Sequence, residues 1–192
     1  LTLYEATKNK KYYNAALRIA EYFKKNVLPS GSWYLLYDCA SGKPLSDNIC
    51  LDFQIVNFFR KLYEMTEDET WHKLETGHYN YITGKCLKEY KWEGQFEDIP
   101  VSLPYENLTH FHPNGLIDYI AKYLSKDEKM VEEAVDLMRF VEDQFVVWDE
   151  HPEWNKTWGP TPWYYPAGLE QYSCYVPIDS STITIMTAFV NM

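Results

Sequence analysis

The pentapeptide Leu3-Tyr4-Glu5-Ala6-Thr7 returns 59 residues later as Leu62-Tyr63-Glu64-Met65-Thr66, and a weaker copy, Lys122-Tyr123-Leu124-Ser125, follows after about 60 more. Self-similarity at such a period means that one supersecondary unit is used repeatedly, which narrows the possible folds more than any bulk property does. Tryptophan supplies a second, independent marker: Trp33, Trp92 and Trp148 are separated by 59 and 56 residues.

Each copy runs into a polar turn and then an amphipathic segment, at residues 12–27, 70–87 and 129–146. In the first of these, Ala16, Ile19, Ala20 and Phe23 recur at helical spacing and mark one apolar face. Helices ahead of the turn are expected at 47–65 and 114–124, and residues 179–192 open on Ser and Thr suited to an N-cap, so they read as the start of a further helix. The unit is therefore a helix, a polar turn, an antiparallel helix and a longer loop carrying Trp and acidic residues. About three such hairpins are expected in residues 1–192, with the pattern cut in mid-unit at both ends. One hairpin cannot bury its own apolar face, so stacked neighbours must supply the core, in an open solenoid or a closed ring.

Charge and motif content exclude several classes. The net charge of -10, from 18 basic and 28 acidic residues without a cluster of Lys and Arg, opposes binding to a phosphate backbone, so no nucleic-acid partner is expected. No run approaches the roughly 20 apolar residues of a membrane-spanning helix. Eight glycines form neither a phosphate-binding loop nor a dinucleotide fingerprint, and no Gly-x-Ser-x-Gly elbow is present, so no cofactor is expected. The four cysteines are too scattered to form a C-x-x-C pair or a disulfide framework. The chain opens on Leu1 with no basic region and apolar core, so any signal segment is expected to have been removed or never present. Aromatic residues make up 17% of the chain, including 17 Tyr and 7 Trp, and sugar-binding clefts are one place where such rings are used, because pyranose C–H faces stack on them.

The hairpin period near 60, the loop Trp92-Glu93-Gly94-Gln95-Phe96-Glu97-Asp98 and the Tyr165-Pro166 to Pro177 stretch leading into a helix resemble the six-hairpin glycosidase superfamily. That resemblance implies an all-α fold, part of an (α/α)6 toroid with its long loops at one end, and a carbohydrate-active protein: a glycoside hydrolase, a polysaccharide lyase or a sugar epimerase. Residues 1–192 would then form a single incomplete toroid domain, with the remainder supplied by further sequence or another chain. The resemblance also implies a secreted or periplasmic location.

Hydrolysis of a glycosidic bond uses one carboxyl as acid and another as base or nucleophile. Glu93, Glu97, Asp98 and Glu106 lie among Trp92, Phe96 and Tyr105, apolar neighbours that could raise a carboxyl pKa; Glu97 and Asp98 are the first candidates. His110 and His112 follow; their two-residue spacing puts both rings on one side of an extended segment, where they can carry protons or bind sugar hydroxyls, His110 being the catalytic candidate and His112 the substrate contact. No third or fourth ligand at zinc spacing accompanies them, so no metal is expected. Substrate contacts are expected from Trp92, Tyr105, Glu106 and His112, from Trp33 and Asp38 in the first repeat, from Trp148 and Asp149 in the third, and from Trp163 and Glu170 in the aromatic, proline-rich segment 154–175. For Trp33 and Trp148, sealing the core of a repeat is an equal alternative. A lyase on the same scaffold would instead shift the emphasis to His110, His112 and Tyr105, and a binding scaffold would use the acids for no chemistry at all.

Overall fold

The computed structural model of the chain describes residues 1–88, 110–147, 167–171, 175–177 and 179–192. They belong to two compact units, Leu1–Glu89 and Tyr90–Met192. Both are mainly helical, as expected from the repeat.

In the first unit, α1 (Thr2–Thr7) and α2 (Lys10–Asn26) are followed, after a long connection, by α3 (Phe53–Thr66) and α4 (Glu69–Ile82), and α4 runs on into a π-helical turn at Thr83–Leu87. The turn between α1 and α2 shows why the sequence repeats. The Thr7 hydroxyl donates to the Leu3 carbonyl at 2.6 Å and accepts from the Asn9 N–H at 3.2 Å, while the Asn9 side chain caps α2 by accepting from the Lys11 N–H at 3.0 Å. Fifty-nine residues later, Thr66 donates to Leu62 at 2.7 Å and accepts from Asp68 at 3.3 Å, and Asp68 accepts from the Thr70 N–H at 2.8 Å. Between hydroxyl and cap sits one residue in the left-handed region, Lys8 at φ +56° and Glu67 at φ +55°, whose N–H donates to the Tyr4 or Tyr63 carbonyl at 2.7 Å. The Thr-x-Asn/Asp triplet thus closes one helix and opens the next.

The apolar faces of these helices meet in an aromatic core. Trp33 lies edge-on to Phe23, with ring centroids 5.0 Å apart, and stacks on Phe59 at 5.8 Å, and Phe59 stacks in turn on Trp71 at 6.1 Å. Ala20, Leu62 and Leu74 complete the buried cluster. The connection between α2 and α3 folds back on itself as an irregular antiparallel ladder, with bridges Tyr34–Ile49 and Tyr37–Pro44. It presses close to α4: Gly31, at φ +89°, approaches Gly77 so tightly that a Cβ on Gly31 would lie 2.7 Å from the Gly77 carbonyl oxygen. Only glycine meets both conditions.

In the second unit, α5 (Phe111–Tyr119) continues through a π-helical turn at Ile120–Leu124, and α6 (Glu128–Phe145) returns antiparallel to it. Strands β1 (Val146–Val147), β2 (Ala167–Gln171) and β3 (Tyr175–Pro177) form an antiparallel sheet in that order, and α7 (Asp179–Asn191) follows. The register pairs Val146 with Gly168 and Glu170 with Val176. The third copy of the turn keeps the aspartate cap, Asp127 accepting from the Lys129 N–H at 3.1 Å, but is one residue shorter between Tyr123 and Ser125 than between Tyr63 and Thr66. It closes without a left-handed residue, Ser125 standing at φ -62°. Buried Leu116, Ile117 and Ile120 of the α5 segment, Ala134, Leu137, Val141 and Phe145 of α6, and Ile185 and Ala188 of α7 make its core. The long connections therefore add short strands that the helical periodicity does not predict.

No described helix is long and apolar enough to cross a membrane.

Candidate functional site

Helix α5 is short and buried along most of its length, from His112 to Ile117 and again at Tyr119. It begins where Pro113 can occupy a first-turn position without losing a helical hydrogen bond, and Leu116, Ile117 and Ile120 then drive it inward. A helix buried on nearly all faces should be apolar all round. This one carries His110 as its N-cap residue, Asn114 one turn on and Asp118 one turn further, an i, i+4, i+8 stripe along one side spanning about 12 Å of helix axis.

His110 is fully enclosed and Asn114 is 1% exposed. The Asn114 side-chain amide and His110 Nδ1 are 2.9 Å apart, and the Asn114 backbone N–H donates to the His110 carbonyl at 3.0 Å. The imidazole is held between Phe111, at 4.4 Å between ring centroids, and Phe145 at the end of α6, at 5.9 Å. Among the described residues, neither His110 Nε2 nor Asn114 Oδ1 has a hydrogen-bond partner. Burial, assisted by neighbouring His112, pushes the His110 pKa down to about 4, so the ring is neutral at physiological pH. His112 is itself buried. Asp118 is half-buried, which raises its carboxyl above the usual aspartate range despite a 3.3 Å hydrogen bond from the Asn191 side chain of α7.

This site lies where α5 begins and α6 ends. Most of the expected chemistry belongs to residues 89–109 and 148–166, which are outside the described residues. Glu97, Asp98, Trp92, Tyr105, Glu106, Trp148, Asp149 and Trp163 lie outside the described residues. Glu170 is placed by its backbone alone, in β2 opposite Val176.

Two expected contacts in the first unit have other uses. Trp33 is 1% exposed, its indole N–H donates to the Phe23 carbonyl at 2.7 Å, and its rings are taken up by Phe23, Phe59 and His78. It seals the core and has no face left for a sugar, which corrects its assignment as a substrate contact. Asp38 accepts from the Ser41 N–H at 2.7 Å and the Ser41 hydroxyl at 2.5 Å, bonds that hold its carboxyl below the usual range and close a tight turn. The same unit carries a buried carboxylate, Glu75, between His72 Nδ1 at 2.9 Å and Arg60 at 3.7 Å, which braces α4 against α3.

Expected side by side on an extended segment, His110 and His112 instead stand at the N-cap and second residue of α5, where a two-residue step turns about 200° round the helix axis; Asn114 and Asp118 are the residues that reading for acids on loops had missed. The signal was present as polar residues recurring every fourth position in an otherwise apolar segment. Among the described residues, no three His, Cys, Asp or Glu side chains converge to hold a metal. Compared with family models, curated proteins and solved structures, the chain matches none of them.

Proposed function

We propose that the chain is part of a carbohydrate-active protein of the (α/α)6-toroid type, a glycoside hydrolase acting on an oligo- or polysaccharide, with Glu97 and Asp98 as its acid and base. The observation that carries this reading is the helical hairpin repeated with the same turn chemistry at a 59-residue offset. The return helices α2 and α6 both release the chain into a long, aromatic and acidic connection. A repeat that sends its variable segments to the same end of each hairpin is suited to building a binding face from loops on a rigid frame. The resemblance of residues 92–98 to the six-hairpin glycosidases supplies the substrate class, and with it a secreted or periplasmic location.

Hydrolysis is preferred to elimination because a lyase needs a base in the site. His110, with Nδ1 facing an amide donor and its pKa depressed, is poorly suited to that task. His110 is better read as a group that orients substrate.

The test is release of reducing sugar from a glycan panel by the full-length protein, beside Glu97→Gln and Asp98→Asn variants shown to be folded. Loss of at least 100-fold in either variant is expected, on the scale of removing a general acid or base. Retention of activity in both moves the catalytic pair elsewhere, and ultraviolet-absorbing unsaturated products would replace hydrolysis with elimination.

A further inference from the structure

We propose that Asn114 is a positioning residue for His110: its side-chain amide donates to Nδ1 and fixes the imidazole in the Nε2–H tautomer, so that His110 offers a neutral hydrogen-bond donor to a substrate oxygen. The substrate half of this inference rests on the carbohydrate reading above, whereas the Asn114–His110 half stands on the geometry of α5 alone.

Three observations support it. The two residues are one helical turn apart with 2.9 Å between their nitrogens, and an imidazole Nδ1 that accepts from an amide N–H cannot carry a proton itself. The ring packs against Phe111 and Phe145, with centroids 4.4 and 5.9 Å away, contacts that favour this arrangement of the imidazole. Finally, Nε2 is buried and without a partner among the described residues, as is Asn114 Oδ1. A buried N–H lacking an acceptor costs roughly 1–3 kcal/mol, so its retention in a helix otherwise lined by Leu and Ile calls for an oxygen that completes the bond. A sugar hydroxyl or ring oxygen has that chemistry. Donation by a neutral imidazole also requires no change of protonation during turnover, which separates this role from that of the carboxylates.

Long-range proton–nitrogen correlation spectra of the nitrogen-15-labelled chain report the tautomer directly, with His110 assigned from a His110→Gln variant. The expected wild-type signature is protonated Nε2 and bare Nδ1 at neutral pH. Asn114→Leu should release the ring to a mixture of tautomers. Asn114→Asp, whose carboxylate accepts, should invert it to Nδ1–H. A wild-type ring protonated at Nδ1, or a tautomer unmoved by either substitution, overturns the positioning role; if Asn114→Leu does not fold, the wild-type spectrum and Asn114→Asp decide it. Titration with neutral and uronate-containing oligosaccharides should shift the His110 Nε2–H resonance. No shift with any of them overturns the substrate half while leaving the tautomer result standing, so the two failures are distinguishable.

Discussion

Helices α3 and α5 occupy the same place in the repeat, each leading a hairpin and each followed by an aspartate-capped return helix, yet their buried faces differ in kind. The buried residues of α3 are Phe53, Val56, Phe59 and Leu62, all apolar, whereas α5 buries His112 and Asn114 beside Leu116 and Ile117, behind a buried His110 cap. The two helices differ in how they end, α3 on a left-handed residue and α5 through a π-helical turn, but the sharper difference is in what they bury. In α3 every buried group adds to the hydrophobic term. In α5 His110 and Asn114 forgo that gain, and His110 Nε2 and Asn114 Oδ1 find no hydrogen-bond partner among the described residues.

The contrast can be pressed hardest at the scaffold. Trp33→Ala removes the ring around which Phe23, Phe59 and His78 pack, and should destabilise the first unit by about 3–5 kcal/mol in urea unfolding. A change below about 1 kcal/mol would mean that Trp33 is not the seal of this core.

The second unit should lose stability in acid through His110. The folded His110 pKa of about 4 lies below its unfolded value near 6.5, so as pH falls through 6.5 the unfolded chain binds a proton that the folded one refuses. Stability from this group is therefore intact above about pH 6.5 and declines down to about pH 4, by roughly 3 kcal/mol at one pKa unit per 1.4 kcal/mol. The difference between wild type and His110→Leu, followed from pH 7 to pH 4, should show that slope, and parallel profiles would contradict it.

The smallest effect should be the same in both units. Asp68→Ala and Asp127→Ala each delete a side-chain cap at the start of a return helix, and each should cost about 1 kcal/mol. Unequal costs would show that the shorter third turn has shifted its load away from the cap.

How much of this could be read from the sequence follows the same division. The repeat placed the return helices to within about two residues at their N-terminal ends, because hydrophobic periodicity and a hydroxyl-x-carboxamide or carboxylate turn are local signals that tertiary packing here reinforces. The helix expected from residue 47 begins only at Phe53, since residues 47–52 belong to the ladder of the preceding connection and Asp52 supplies the cap. The short sheet of the second unit went unforeseen, because two- to five-residue strands carry too little periodicity to register. Trp33 stood equally as a substrate contact or a core seal: a Trp at a helix-to-loop junction has the same local sequence whether its ring faces the core or solvent, and only the positions of Phe23 and Phe59 decide it. His110 was visible as a chemically capable residue, but its partnership with Asn114 depends on α5 starting at residue 111, which sets the one-turn spacing between them.

The claim at the centre of this account is that the polar stripe of α5 is kept for a site and not for stability, and the double variant His110→Leu/Asn114→Leu tests it most directly. Replacing both partners of a buried, incompletely satisfied pair by apolar groups is close to neutral or stabilising when the pair does no structural work. Urea unfolding of the double variant should therefore give a stability equal to or above wild type at pH 7, within about 1 kcal/mol on the unfavourable side. A loss of about 3 kcal/mol or more, in a variant that keeps its helical content, would show that the His110–Asn114 pair holds the unit together and that the site must be sought elsewhere.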